Sequence, residues 1–184
     1  MSKRIALFTA AAFGALALTA TILTPVNAQE KTVMVGGAAM FPSRNIIQNA
    51  VNSKDHTTLV AAVKAAGLVE TLEGKGPFTV FAPTNAAFGK LPDGTVDNLV
   101  KPENKATLTR ILTYHVVPGK LEASDLSDDK KLKTVEGEEL TVKKANGKVM
   151  IVDAKGGTAT VTISNVNQSN GVIHVVDTVL MPAS

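Results

Sequence analysis

The amino-acid sequence predicts an α+β domain in which helices pack over one side of a small antiparallel β-sheet or wedge. Two observations predict this class. Apolar residues recur at helical spacing over residues 45–113, and from Lys131 onward they alternate with Lys, Thr and Glu at the two-residue spacing of strands. The length of 184 residues suits one domain of ordinary size rather than several.

The composition excludes several classes of function. The chain has no cysteine, which excludes disulfides, Cys-ligated zinc or iron–sulfur clusters and a thiol nucleophile. Lys and Arg number 19 against 16 Asp and Glu, and removal of Lys3 and Arg4 with an N-terminal targeting segment would leave 17 against 16. A chain so close to neutral is a poor candidate for binding nucleic acid, which needs clustered cations facing the phosphates.

The first 28 residues have the pattern of a secretory signal peptide. Lys3 and Arg4 precede an uncharged run from Ile5 to Leu23, and the small residues that end at Ala28 form a cleavage site. The alternative is an uncleaved anchor, because the apolar run is long enough to cross a thin membrane. The rest of the chain has no such run, so we expect no stable membrane span after cleavage and a periplasmic or secreted product.

Residues 29–44 are expected to form a flexible N-terminal arm, because the segment around Gly36 and Gly37 has neither helical nor alternating spacing. The domain then spans residues 45–183 and begins with helices. Helical patterns cover residues 45–51, 58–66, 95–100 and 102–113, and residues 78–82 have the composition of a buried strand.

The second half of the chain is predicted to be a run of antiparallel strands. Asn146-Gly147 indicates a type I′ hairpin, because both central residues of that turn need a positive φ. Further reversals are expected at residues 155–157 and 167–171. The final run, residues 172–176, is apolar on both faces apart from His174, which predicts a strand in the centre of the sheet.

The sequence offers no pattern of residues for catalysis or for a cofactor. His56, His115 and His174 are far apart and lack the spacing of metal ligands, so we expect no metal site and isolated structural histidines. No Gly-x-Ser-x-Gly turn and no glycine-rich phosphate loop is present. The chain is therefore predicted not to be an enzyme.

Three segments resemble the fasciclin (FAS1) domain family. They are Phe78-Thr-Val-Phe-Ala-Pro-Thr-Asn-Ala-Ala-Phe88, Tyr114-His-Val-Val-Pro-Gly119 and Asn170-Gly-Val-Ile-His-Val-Val-Asp-Thr-Val-Leu-Met-Pro182, in the order of that family. The likeness covers about residues 42–183. It implies a single exported FAS1 domain, built as helices on a β-wedge, that acts in adhesion or in binding a matrix or envelope partner without catalysis.

The resemblance also singles out Tyr114 and His115. Adhesive members of the family are often said to present this pair to cell-surface receptors, so the pair is a tentative partner-binding site. The alternative is structural, since a Tyr and a His at the end of a helix can hydrogen-bond loop backbone. The expected partner is an envelope or extracellular protein or glycan.

A second class of function stays open at this stage. Some secreted FAS1 proteins of similar size bind apolar pigments, so a carrier of a small hydrophobic ligand, lipid or pigment, is the alternative to an adhesion module. Adhesive members usually carry several copies of the domain, whose linked weak contacts give avidity. A chain with one copy would adhere through oligomerisation or through a partner fixed in the envelope, and the sequence leaves its oligomeric state open.

Overall fold

The computed structural model describes residues 31–183, and the predicted signal peptide lies outside this part of the chain. The α-helices are α1 (Ile46–Ala50), α2 (Thr57–Ala66), α3 (Val69–Glu73), α4 (Asn85–Phe88), α5 (Thr95–Leu99) and α6 (Lys105–Tyr114). The strands are β1 (Val33–Val35), β2 (Ala38–Met40), β3 (Phe78–Pro83), β4 (Val116–Pro118), β5 (Lys131–Lys133), β6 (Glu139–Ala145), β7 (Lys148–Val152), β8 (Thr158–Gln168) and β9 (Gly171–Val176). Six of these nine strands, β4 to β9, follow the last helix, and this separation of helices from most strands confirms the predicted α+β class.

Local sequence signals account for several helix ends. The Asn45 side chain accepts a hydrogen bond from the backbone of Gln48, whose side chain accepts one from the Asn45 backbone, and this capping box begins α1. Gly67 ends α2 in the left-handed conformation. The predicted helix over residues 102–113 is divided, because Pro102 begins a 3-10 turn before α6 starts at Lys105.

Seven strands form one sheet in the order β4-β3-β9-β8-β7-β6-β5. All neighbours are antiparallel except β3 and β9, which pair in parallel over their whole lengths. The long strand β8 pairs with β7 at residues 158–160 and with β9 at residues 161–168, and register shifts occur along the second part. Such irregularities bend a strand, so β8 joins two halves of a folded sheet.

The two faces of β9 explain why this strand is apolar throughout. Ile173 and Val175 lie in a core between the helices and the sheet, whereas Val176 lies in a second core inside the folded sheet. We call these the helical core and the wedge core. Because β9 runs between β3 and β8, its predicted central position is confirmed.

The structure differs from the expected N-terminal arm. Within residues 29–44, β1 and β2 form a hairpin through Gly36 and Gly37, both with positive φ. Val35 and Met40 are buried in the helical core, so the prediction of a flexible arm is wrong for this hairpin. Each strand has only three residues, too few for an alternating pattern to stand out in the sequence.

Candidate functional site

Tyr114 and His115 lie where α6 ends and β4 begins. The buried face of α6, formed by Leu108, Ile111 and Leu112, packs into the helical core. Tyr114 points instead into the wedge core, where it is fully buried, and His115 is only 2% exposed. The pair therefore bridges the two cores.

His115 connects α6 to the C-terminal segment that follows β9. Its Nδ1 lies 2.8 Å from the Ile111 carbonyl oxygen and its Nε2 lies 2.9 Å from the Leu180 backbone nitrogen. A carbonyl can only accept, so Nδ1 carries the proton and Nε2 accepts the Leu180 N–H, which defines one neutral tautomer. Burial lowers the pKa of His115 to about 4.

The Tyr114 hydroxyl connects the start of β6 to the β7–β8 turn. It accepts a hydrogen bond of 2.8 Å from the Ala154 N–H and donates one of 3.2 Å to the Glu139 carbonyl. Burial raises the pKa of Tyr114 to about 12, so the hydroxyl keeps its proton at physiological pH. Both functions of the hydroxyl are therefore occupied by backbone groups.

Asp153 completes this arrangement, and the sequence analysis missed it. One carboxylate oxygen accepts hydrogen bonds from the backbones of Lys155 and Gly157, and the other accepts one from Met181. The run Asp153-Ala-Lys-Gly-Gly157 is a signal for a turn closed by the Asp side chain, which would have indicated part of this role. Tyr114, His115 and Asp153 thus hold α6, the β7–β8 turn and the C-terminal segment together, and we call these three residues the latch.

The latch leaves no side-chain group of Tyr114 or His115 on the surface. A partner could touch them only after the C-terminal segment or the β7–β8 turn had moved away. This geometry favours the structural alternative over direct contact with a receptor.

The other two histidines are also built into the fold. His56 is buried, with Nδ1 2.8 Å from Ser53 Oγ, and His174 stacks on Phe81 and donates from Nε2 to the Leu121 carbonyl at 2.8 Å. Burial lowers the pKa of both. Within residues 31–183, no three His, Asp or Glu side chains are grouped so that they could hold a metal ion.

A mostly enclosed apolar cavity lies in the helical core, and its volume is about 70 Å³. Its walls include Met40, Ile47, Leu59 and Ile173. Sites that enclose drug-sized ligands usually have volumes of about 300–1,000 Å³. In this conformation the cavity is too small for a lipid chain or a pigment.

The fold and the latch define a class of protein: an α+β domain in which helices pack on a folded sheet. Its buried polar side chains bond backbone groups of neighbouring elements and so hold those elements together. The chain belongs to the fasciclin domain family, since the sequence model of the fasciclin domain matches residues 54–182. Neither this match nor the structural similarity below indicates a catalytic family.

Similar proteins come from bacteria and from an insect. Protein sll1483 of Synechocystis sp. is 46% identical over 181 residues, which cover 98% of this chain and 97% of that protein. The cell surface glycolipoprotein MPB83 of Mycobacterium bovis is 39% identical over 80% of this chain and 64% of its own length.

A FAS1 domain pair from the insect cell adhesion molecule Fasciclin I shares the fold, with a TM-score of 0.69 at 19% identity. The similarity covers 77% of this chain and 52% of that one, so the chain spans about half of the pair. Among residues 31–183, no helix has the length and apolar character needed to cross a membrane.

Proposed function

We propose that this chain is an exported, non-catalytic fasciclin module that binds an envelope or extracellular protein or glycan and so takes part in adhesion. The observation that supports this most is the fasciclin match over residues 54–182, together with the shared fold of an insect cell adhesion molecule. The name of the mycobacterial relative, a cell surface glycolipoprotein, supports a location outside the cytoplasm. The predicted signal peptide supports a periplasmic or secreted product.

The interior polar groups support a non-catalytic role. A general base needs a nitrogen or oxygen that a substrate can reach. In His115 both ring nitrogens are bonded to backbone groups inside the protein, and in His174 one nitrogen is bonded to the Leu121 carbonyl while the other faces the Asn165 N–H at 3.4 Å. Binding through the outer surface is therefore the better use of this fold.

A cell-attachment experiment tests the proposal. Beads coated with the mature protein are added to cells or envelope fragments of the source organism, and attachment is counted with and without excess free protein. We expect attachment that the free protein blocks and that either protease or periodate treatment of the surface abolishes, which tells a protein partner from a glycan. Equal attachment by beads that carry urea-unfolded protein would contradict the proposal.

A further inference from the structure

The folded sheet almost closes on itself, and the gap lies between its two edge strands. β4 and β5 stand at opposite ends of the strand order, yet the chain just after β5 reaches β4. One backbone hydrogen bond of 2.8 Å, from the Val135 N–H to the Val116 carbonyl, joins them. A shallow groove, open to solvent, lies beside this bond and is lined by residues of β4 and by residues 130–135. We call it the β4–β5 groove.

The backbone of β5 offers hydrogen-bonding groups to this groove. Along an edge strand, the backbone N–H and C=O groups of one residue face the neighbouring strand, and those of the next residue face away from it. The Lys130 carbonyl and the Thr134 N–H bond toward β6, and Leu132 pairs with Leu140, so these residues face inward. The backbone groups of Lys131 and Lys133 therefore face the groove, on the same edge as the bonded Val135 N–H.

The floor of the groove is apolar and held in place. Val117 and Leu132 form its base but are buried in the wedge core, so the apolar surface open to a ligand comes from Pro118, Leu121 and Val135. The Leu121 N–H donates to Thr79 Oγ1 at 2.8 Å, and its carbonyl accepts from His174 at 2.8 Å. A surface fixed in this way loses little conformational freedom when a ligand binds.

Lysines flank the floor, and no acidic residue lines the groove. Lys130, Lys131 and Lys133 all belong to its walls, and the side chains of Lys131 and Lys133 are exposed. Lys131 lies 3.5 Å from Glu139 in an exposed pair, which contributes little and can be exchanged for another carboxylate. The groove thus combines free strand-edge groups, an apolar floor and positive charge.

We propose that the β4–β5 groove binds an extended acidic segment of a partner protein, which adds a strand along the edge of β5. This inference rests on the proposed binding function and specifies a protein partner rather than a glycan. In an added strand, side chains alternate between the two faces. The segment that suits the groove therefore alternates apolar residues, which meet the floor, with Asp or Glu, which meet Lys131 and Lys133.

A titration with designed peptides tests this inference on the mature protein. The probe is a blocked, fluorescein-labelled peptide of alternating Glu and Val, and binding is followed by anisotropy and by amide NMR shifts. One control peptide has the same composition with all Glu before all Val, and another has N-methyl groups on the amides that would face β5. We expect the alternating peptide to bind at least about tenfold more tightly than either control and to shift the amides of residues 131–135.

Substitutions separate charge from backbone pairing. The double change Lys131→Glu, Lys133→Glu should raise the Kd for the alternating peptide about tenfold or more at low salt. The control is Lys148→Glu with Lys155→Glu, which makes the same change of charge on the neighbouring hairpin turns. It should alter Kd less than about twofold. Lys133→Pro removes an outward N–H that β6 does not use, and it should bind more weakly than Lys133→Ala. Far-UV circular dichroism verifies that each variant is folded.

The outcomes distinguish this inference from the general proposal. Equal binding of the alternating and N-methylated peptides, or tighter binding of dextran sulfate at the same lysines, would overturn the added strand. Attachment to cells that survives the Lys131→Glu, Lys133→Glu change would also overturn the groove as the contact site while leaving the adhesion function standing. Loss of attachment in that variant, with the Lys148→Glu, Lys155→Glu control unaffected, supports both the adhesion function and the groove as its contact site.

Discussion

His115 holds a buried neutral imidazole whose protonation would break the latch. An added proton would sit on Nε2, which now accepts the Leu180 N–H, so the charged form loses that bond and places two N–H groups against each other. The charge would also have no solvent around it. Because of these two effects, protonation of His115 at low pH lowers the free energy of unfolding.

We therefore predict that the free energy of unfolding falls as the pH decreases from about 6.5 to about 4. In the unfolded chain His115 takes up a proton near its ordinary pKa of 6.5, while in the folded protein its pKa is about 4, so protons favour the unfolded state in this range. The loss from His115 should be about 3 kcal/mol. The lowered pKa values of His56 and His174 act in the same direction.

Urea unfolding measured at pH 7 and pH 4 checks this prediction. In a His115→Gln protein the difference between the two pH values should shrink, because one of the three titrating histidines is gone. An unchanged difference would show that His115 does not carry the effect. Carboxylates contribute equally to both proteins and cancel in the comparison.

The Tyr114 hydroxyl provides a second prediction at this scale. Tyr114→Phe keeps the ring in the wedge core but leaves the Ala154 N–H without its acceptor, so we expect a loss of about 1–2 kcal/mol in unfolding free energy. Thr113→Val is the matched control, because it removes a hydroxyl that bonds only within its own helix, and it should cost less than about 0.5 kcal/mol. Chemical denaturation measures both. Equal losses would mean that the latch hydroxyl contributes no more than an ordinary helix-surface group.

At the scale of elements, the β1–β2 hairpin shows how close contact fixes a turn. Gly36 has a φ of +56°, and a Cβ atom there would clash with Ser53 Oγ and lie 2.7 Å from the Asp55 nitrogen. Gly37 has a φ of +76°, and no atom would lie within 4 Å of its Cβ. The two glycines share the backbone conformation and differ in their surroundings.

We predict that Gly36→Ala destabilises the protein more than Gly37→Ala. Both substitutions bear the cost of a left-handed residue, about 1 kcal/mol, and Gly36→Ala adds a clash with the backbone of the turn before α2, about 1–3 kcal/mol more. Thermal or urea unfolding of the two variants measures the difference. Equal costs would indicate that the hairpin does not sit against residues 53–55.

Strong local signals made some elements predictable from sequence. The Asn146-Gly147 turn and the helix that ends at Gly67 follow from residues a few positions apart. The parallel pairing of β3 with β9 could not be read in this way, because nothing local in either strand specifies a partner about 90 residues away. Likewise Tyr114 and His115 were found by resemblance, but their burial depends on the C-terminal segment that covers them.

At the scale of the whole molecule, the two cores share their central strands. Phe81 and Val176 point into the wedge core, while the neighbouring Val80 and Val175 point into the helical core. Neither core can lose β3 or β9 without the other losing it too. The molecule should therefore unfold as one unit.

This expectation is testable because Tyr114 is the one tyrosine of a chain without tryptophan. Tyrosine fluorescence reports the wedge core, and far-UV circular dichroism is dominated by the helices of the other core. We predict coincident urea transitions for the two probes, and equal shifts of both when Val175→Ala or Val176→Ala removes about 2 kcal/mol. A variant that moves one transition and leaves the other in place would show that the cores unfold separately.

The parallel pairing of β3 with β9 also sets an order of events. Ribosomes make a chain from its N-terminus, so β9 is the last strand of the described sheet to be produced, and until it arrives both cores lack a wall. Contacts between segments so distant in sequence form slowly, after the long intervening loop has closed. A nascent chain of this protein would therefore stay unfolded until residues 171–176 have been made, and such a delay would favour the export that we propose.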